Sequence, residues 1–453
     1  MKNPLALQKS PSSENSATSR DVSTVGTAAL ARPSTSIVVH SHLRWDFVWQ
    51  RPQQIFSRLA ATRPILFIEE PLASDGASRI ELTEPMSNVI RAVPYIDGCR
   101  TMSVDQQCEA ILPMLLDMMA QHSLLKGRFD RSIHWFYSPM TAPVFLRQFG
   151  HHGIVYDCMD ELANFRFAPP DIAQREQFLL ERADVVFTGG YQLYEAKSKF
   201  HLNTHFFGCG VDTQHFGRAR VASTVIPAEL GALRRPVFGY FGVIDERLDY
   251  PLIARLAEAL PHASIAMVGP LAKVERHMLP TASNIHWLGQ RAYDDLPAIV
   301  KGFDVCLMPF ALNDATRYIN PTKTLEYLAA AKPVVSTAIP DVLHHFADVV
   351  YVADSHKAFI RQARNAAGSP DALLIARGVQ RAEQSSWSSI VSSIDDHLSQ
   401  IGQLEFGKSE GAKSSYVLQR GIPLDELPGD ADRRLTHASS WSRINRVAGA
   451  LDA

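Results

Sequence analysis

Short apolar runs alternate with amphipathic stretches from about residue 36 to residue 400, the pattern of stacked βαβ units feeding a parallel sheet. The runs Ser36–His40, Ile65–Glu69, Val89–Tyr95, Ser132–Tyr137, Gly153–Cys158, Val185–Thr188 and His205–Gly208 predict one set of strands. A second set is predicted at Pro236–Gly242, Ser264–Gly269, Asn284–Gly289, Val305–Phe310, Pro333–Thr337 and Val349–Val352. Between the second set, Leu252, Ile253, Leu256 and Leu260 recur at helical spacing, and Ile390, Ile394 and Leu398 mark a helix over Trp387–Ile401. The expected class is α/β with two Rossmann-like domains. Their expected bounds are 36–216 and 236–402, joined by a polar linker at 217–235. Residues 1–35, rich in Ser, Thr and Ala, read as a disordered arm, and 403–453 as a polar tail that can form a short helix at Trp441–Leu451.

With 453 residues the chain is too long for one ordinary core. Its 45 Lys and Arg against 47 Asp and Glu create no global field for nucleic acid or an anionic membrane. Five cysteines without a Cys-x-x-Cys pair read as reduced, mostly buried thiols. No apolar run approaches the roughly 18 residues that span a bilayer, so a cytoplasmic protein is expected, with peripheral contact to the inner membrane face left open.

The candidate chemistry is densest at Asn320-Pro321-Thr322-Lys323-Thr324-Leu325-Glu326. Asn320 is a favoured N-cap, Pro321 suits the first helical position, and the following free N–H groups form a seat for phosphate. Lys323 adds a charge there, and Glu326 lies about 7 Å further along, a diphosphate-to-ribose distance. Leu325, Leu328 and Ala329 share the opposite, core-facing stripe. The bland alternative is a surface helix start with a solvated acid.

Other candidates follow predicted strands, at the edge where open α/β sheets bind ligands. After the first strand, Arg44 and Arg51 can meet anions and Trp45 or Trp49 can stack on a sugar; alternatively the tryptophans cap the core and Arg51 pairs with an acid. Asp157, Asp160 and Glu161 crowd one strand end, where at least one should face a ligand, unless Asp160 only caps the next segment. No metal is expected, because no His or Cys stands at ligand spacing. Gly242 allows backbone to approach a pyrophosphate. Gln290 and Arg291 rim the turn after Asn284–Gly289, and Arg317 adds charge to the loop before the Asn320 helix, unless it is merely solvated. The pairs His151-His152 and His344-His345 read as surface residues, since adjacent side chains do not converge on one metal.

Together Trp49–Gln53, Tyr156–Glu161, Gly239–Asp249 and Asn320–Thr337 resemble GT-B glycosyltransferases, notably glycosyltransferase family 4 and a bacterial group of teichuronic-acid-type and polysaccharide transferases. The resemblance covers roughly residues 36 to 400. It implies two facing Rossmann-like domains closed by a C-terminal helix, with acceptor mainly on the first domain and donor on the second. It implies transfer of a sugar, with retention, from a nucleotide diphosphate sugar to a saccharide or lipid-linked acceptor in cell-surface or exopolysaccharide biosynthesis. The nucleotide sugar is a co-substrate, and no resident cofactor is expected. The resemblance gives Lys323 and Arg247 a role on the diphosphate, Asp160 and Glu161 a place near the donor sugar, and Glu326 the ribose. Gln290 and Arg291 would flank the base, Gly242, Arg317, Asn320, Pro321, Thr322 and Thr324 would complete the donor site, and Arg44, Trp45, Trp49 and Arg51 would form the acceptor side.

Two departures stand out. Tyr318 occupies the place of a second Glu eight positions before Glu326, and Val243 that of an Arg beside the glycine. They leave open a nucleotide-sugar 2-epimerase and a degenerate transferase acting as a binding or scaffold subunit. A dehydrogenase fits less well, since neither domain carries the full G-x-G-x-x-G fingerprint.

Overall fold

A computed structural model describes residues 35–165 and 167–402; the polar tail with its expected helix, and all but the last residue of the N-terminal arm, lie outside these residues. Among the described residues the first sheet holds β1 (Ser36–Ser41), β2 (Ile65–Glu69), β3 (Leu72–Ala73), β4 (Arg79–Met86), β5 (Val89–Ile96), β6 (Ser132–Phe136), β7 (Gly153–Cys158), β8 (Val185–Thr188) and β9 (Thr204–Phe206). Their order is β3-β5-β2-β1-β6-β7-β8-β9, with β4 added on β5. All these pairings are parallel except β4 with β5. The second sheet holds β10 (Val237–Phe241), β11 (Ser264–Val268), β12 (Ile285–Gly289), β13 (Val305–Met308), β14 (Val334–Thr337) and β15 (Tyr351–Ala353), parallel and ordered β12-β11-β10-β13-β14-β15.

The apolar runs became strands because both faces of each sheet are covered: β1, β2, β10 and β11 are buried at every residue. β4 was not expected from the sequence. It is a one-sided edge strand, Arg-Ile-Glu-Leu-Thr-Glu-Pro-Met, whose polar positions face outward, and it turns into β5 through Asn88 at φ 68°.

Both sheets reverse direction at their first strand. From β1 the chain builds outward through β2 on one side, then crosses to β6 on the other; β10 does the same with β11 and β13. A crevice opens at such a switch point, beyond the carboxyl ends of the strands. The segments after β1 and β10 therefore face the place where a ligand fits, and the loop after β13 joins them.

The helix Trp387–Gln400 closes the fold on the first sheet, where Trp387, Val391, Ile394 and Leu398 enter the core beside Ile55, Phe56 and Leu59. The buried set follows the 3.6-residue period; Ile390, expected inside from its spacing, is only partly covered. Arg63 anchors the same helix through Asp395 (2.6 Å) and Ser399 (3.1 Å). Four of the five cysteines are buried and all are free thiols.

His40 stands near the carboxyl end of β1 and His134 in the middle of β6, with His40 Nε2 3.1 Å from His134 Nδ1 and the His40 ring stacked on Phe136. Burial depresses the pKa of His40 to about 3 and that of His134 well below its usual value. Such a group favours folding above its unfolded pKa of about 6.5, and that contribution is lost as pH falls toward the folded value. Thermal unfolding should show the melting temperature falling progressively below about pH 6.5, with a shallower fall in His134→Leu.

Candidate functional site

A cavity of about 460 Å³ lies between the two sheets. Its first-domain wall is the segment Trp45–Arg51 with Met159, Asp160, Gly189 and Cys209; its second-domain wall includes Gly242, Arg247, Gly269, Gln290–Tyr293 and Asn320–Lys323.

The Trp49-Gln50-Arg51-Pro52-Gln53 run builds this wall by local capping. Pro52 lies in the first turn of the helix Arg51–Leu59, and Gln53 Oε1 accepts the Gln50 N–H at 3.1 Å. Gln53 Nε2 then donates to the Trp45 carbonyl at 2.8 Å, bracing the loop above. Arg51 does not reach outward for an acceptor. Its side chain is buried, with Nε and Nη2 on Asp157 at 3.0 to 3.1 Å and Nη1 on the Phe207 carbonyl at 2.7 Å. Arg44 also differs from expectation: it lies away from the cavity wall, bound to Glu69 at 2.8 Å, and the same carboxylate holds the Trp45 N–H and Arg91. Trp45 is buried against Phe67 with its edge toward Trp49; Trp49 is half-buried and borders the cavity.

The three acids after β7 separate. Asp157 is consumed by Arg51. Glu161, expected beside a donor sugar, turns away from the main cavity and pairs with Lys197 at 2.8 Å, as does Glu176 at 2.7 Å. Asp160 alone borders the cavity. Burial raises its pKa, and Arg247 across the cleft only partly offsets this.

On the second-domain wall β10 and β11 are each followed by a glycine at nearly the same unusual geometry, Gly242 at φ 148° and Gly269 at φ 149°. A Cβ on Gly269 would stand 1.8 Å from the Gly242 carbonyl oxygen, so the two turns touch backbone to backbone. Gly269 was not among the expected site residues, although a glycine closing the next predicted strand was the available signal. Arg247 faces the cavity with Asp245 bonded to it at 2.7 to 3.0 Å. Burial works against the guanidinium charge, and Asp245 more than restores it, so the Arg247 pKa is raised. Sequence reasoning missed Asp245 because its value lies in this contact alone.

The helix after β13 begins later than expected, at Lys323, with Thr322 at the N-cap position and no side-chain cap. Asn320 is not the cap. Its Nδ2 donates to the Gly189 carbonyl at 3.1 Å and its carbonyl accepts from Cys209 Sγ at 3.3 Å, so it joins the two domains. Pro321 precedes the helix and accepts the Thr324 N–H at 3.1 Å. Among the described residues the N–H groups of Thr322 and Lys323 meet no protein acceptor, as the first turn of a helix requires. Lys323 Nζ lies 3.1 Å from Thr322 Oγ1, 5.1 Å from the Phe241 ring centre, and 2.9 Å from Glu326 Oε2. The Glu326 contact is an ion pair without the alignment of a hydrogen bond; Glu326 itself is 7% exposed and lies behind Lys323.

Thr324 and Arg317 are not at the cavity. The Thr324 hydroxyl is buried on Met308 Sδ at 3.3 Å, because this helix is buried nearly all round, and Arg317 is exposed, with its guanidinium 5.7 Å from the Tyr318 ring. Gln290 and Arg291 both border it: Gln290 Nε2 donates to the Phe47 carbonyl at 2.8 Å, and Arg291 pairs with Glu229 at 2.7 Å. Opposite that contact, Asp341 accepts the N–H groups of Tyr191 (2.8 Å) and Gln192 (3.2 Å). His344 stacks on Tyr191 and His345 on Phe206, so this pair, expected on the free surface, packs against first-domain rings. Among the described residues no group of three or more His, Cys, Asp or Glu is placed to hold a metal ion.

Residues 235–368 match the family model described as Glycosyl transferases group 1. The matched segment takes in the second sheet, from just before β10 to beyond β15. A Bacillus subtilis (strain 168) protein, TuaH, carrying a teichuronic acid biosynthesis glycosyltransferase name, is 25% identical over 229 residues. That match covers 47% of this chain and 56% of the relative, so the chain spans little more than half of its length. Among solved structures, sucrose-phosphate synthase from Thermosynechococcus elongatus superposes with a TM-score of 0.62 at 14% identity, over 82% of this chain and 100% of that one. E. coli trehalose-6-phosphate synthase bound with UDP-2-fluoro glucose gives 0.57 at 15%, over 81% and 99%. At these identities the likeness is one of fold: the two parallel, Rossmann-like sheets match the GT-B architecture of those structures.

The Arg51–Asp157 pair is fully enclosed, and removing one partner of a buried pair costs about 3–5 kcal/mol. Arg51→Ala should therefore show its main effect as lost stability in urea unfolding. An effect confined to the Michaelis constant for an acceptor, with unchanged stability, would contradict this placement.

Proposed function

We propose that the chain is a glycosyltransferase that moves a sugar from a nucleotide diphosphate sugar to a saccharide or lipid-linked acceptor. The observation that carries this reading is the convergence, at one cavity wall, of touching glycine turns, the uncapped helix start at Thr322 and Lys323, and Arg247. Donated N–H groups and two cations around a backbone close enough for contact are the chemistry that a diphosphate needs. The group 1 family match and the GT-B likeness support it, and the relative assigned to teichuronic acid biosynthesis favours a cell-surface or exopolysaccharide product.

The difficult step is separating an oxocarbenium-like sugar from a diphosphate that gains negative charge. Lys323 and Arg247 stand ready to stabilise that charge before it fully develops. Asp160, with its raised pKa, faces the same space from the other domain and accepts hydrogen bonds from donor hydroxyls. Glu326 is close enough to Lys323 to exchange its ion pair for a ribose contact when the diphosphate takes the lysine. Retention of anomeric configuration belongs to this reading through the family resemblance. A lipid-linked acceptor would be met at a membrane surface, since no helix among the described residues is long and apolar enough to cross one.

A thermal-shift screen with UDP-, GDP- and ADP-sugars should raise the melting temperature for at least one nucleotide, because a ligand selective for the native state stabilises it. In a turnover assay with that donor, Lys323→Ala should lower kcat by roughly a hundred-fold or more with a smaller change in donor affinity. Glu326→Ala should mainly weaken donor binding. Equal and near-normal kinetics in both variants would contradict the assignment.

A further inference from the structure

The cavity has two chemically different ends. One is polar and cationic, at the Gly242 and Gly269 turns with Arg247 and Lys323. At the other, the turn Gln290–Tyr293 after β12 meets the first-domain loop Trp45–Gln50, and aromatic rings line it together with Arg291, whose charge Glu229 matches. β12 is two strands away from β10, so the Gln290 turn stands about 10 Å from the Gly242 turn at roughly 4.8 Å per strand, with the Gly269 turn between them. A nucleoside diphosphate has the same layout, anionic at one end and a flat ring at the other.

At the aromatic end Tyr293 is already committed. His215 stacks on it at 4.2 Å between ring centres and 8°, Phe216 meets it edge-on, and Gln54 Nε2 lies 3.1 Å from its hydroxyl. Trp49 is not. Its ring centre is 6.0 Å from Tyr293 at a 37° tilt, Trp45 supports it edge-on at 6.2 Å, and it remains half-buried on the cavity wall. The loop that carries it is tied to the second domain by the 2.8 Å bond from Gln290 to the Phe47 carbonyl. The indole is thus braced by Trp45 and Tyr293, which also border the cavity, at the end away from Arg247 and Lys323.

We propose that Trp49 stacks on the nucleobase of the donor, which moves it from the acceptor side to the donor side of the cleft. This rests on the donor reading of the cavity given above. Stacking accepts any base, since every base has a π face, so Trp49 supplies affinity and the backbone of the Gln290–Tyr293 turn is left to choose the base. Because Trp49 belongs to the first domain, the nucleotide touches both walls, and its binding holds the domains together.

Isothermal titration of the full chain, Trp49→Ala and Trp49→Phe with UDP, GDP, ADP and inorganic pyrophosphate tests this. For the nucleotide that the unmodified protein binds, Trp49→Ala should weaken affinity roughly ten-fold or more. Trp49→Phe, which keeps an aromatic face and guards against misfolding of the alanine variant, should stay within about three-fold. Pyrophosphate affinity should be unchanged in both. Unchanged nucleotide affinity in Trp49→Ala, or an equal loss for pyrophosphate, overturns the role of Trp49 while leaving the donor reading intact. If no nucleotide binds the unmodified protein, the donor reading fails and the proposal falls with it.

Discussion

The four cations that border the cavity, Arg51, Arg247, Arg291 and Lys323, each stand against a carboxylate of the same chain: Asp157, Asp245, Glu229 and Glu326. A charge taken partly out of water must be matched, and the way it is matched decides what it can still do. The Arg51 and Asp157 side chains are buried and spend their polar atoms on each other and on the Phe207 carbonyl, so that pair fixes the helix after β1 to the end of β7 and has little left for a ligand. Arg247 keeps a cavity face while Asp245 holds its direction. Lys323 meets Glu326 in a poorly aligned contact and so has the least to lose by turning to an anion. In three of the four, the same physical demand therefore yields one structural strut, one oriented cation and one exchangeable cation within a single cleft.

The domains are joined on two sides of that cleft by different means. On one side Asn320 and Asp341 bond to the backbone at Gly189 and at Tyr191–Gln192, with the stacked rings of His344 and His345 beside them. On the other, Gln290 bonds to the Phe47 carbonyl, Gln54 to the Tyr293 hydroxyl, and Trp49 meets the Tyr293 ring. The closing helix Trp387–Gln400 follows the second sheet in sequence yet packs into the core of the first, which ties the ends of the pair together. Relative motion of the two walls is thus restrained from several sides without one continuous core running between them.

The two parallel sheets, the closing helix and the approximate position of the crevice were readable from the order of apolar and polar residues alone. Buried parallel strands are near-continuous apolar runs, helices show a 3.6-residue stripe, and the ends of such strands are where open α/β folds bind. Gly242, Asp160, Trp49 and Lys323 were legible as residues at that edge for the same local reason. Which side chains remain available was set by long-range contacts in the fold. Arg44, Arg51 and Glu161 are consumed by Glu69, Asp157 and Lys197, Thr324 is buried on Met308, and Asn320 bridges domains instead of capping a helix. The β4 edge strand and the Asp245 support of Arg247 were hidden as well. Periodicity reports the face a residue occupies, but the partner that satisfies its charge is set by contacts between residues as far apart as Arg51 and Asp157, and no local pattern carries that information.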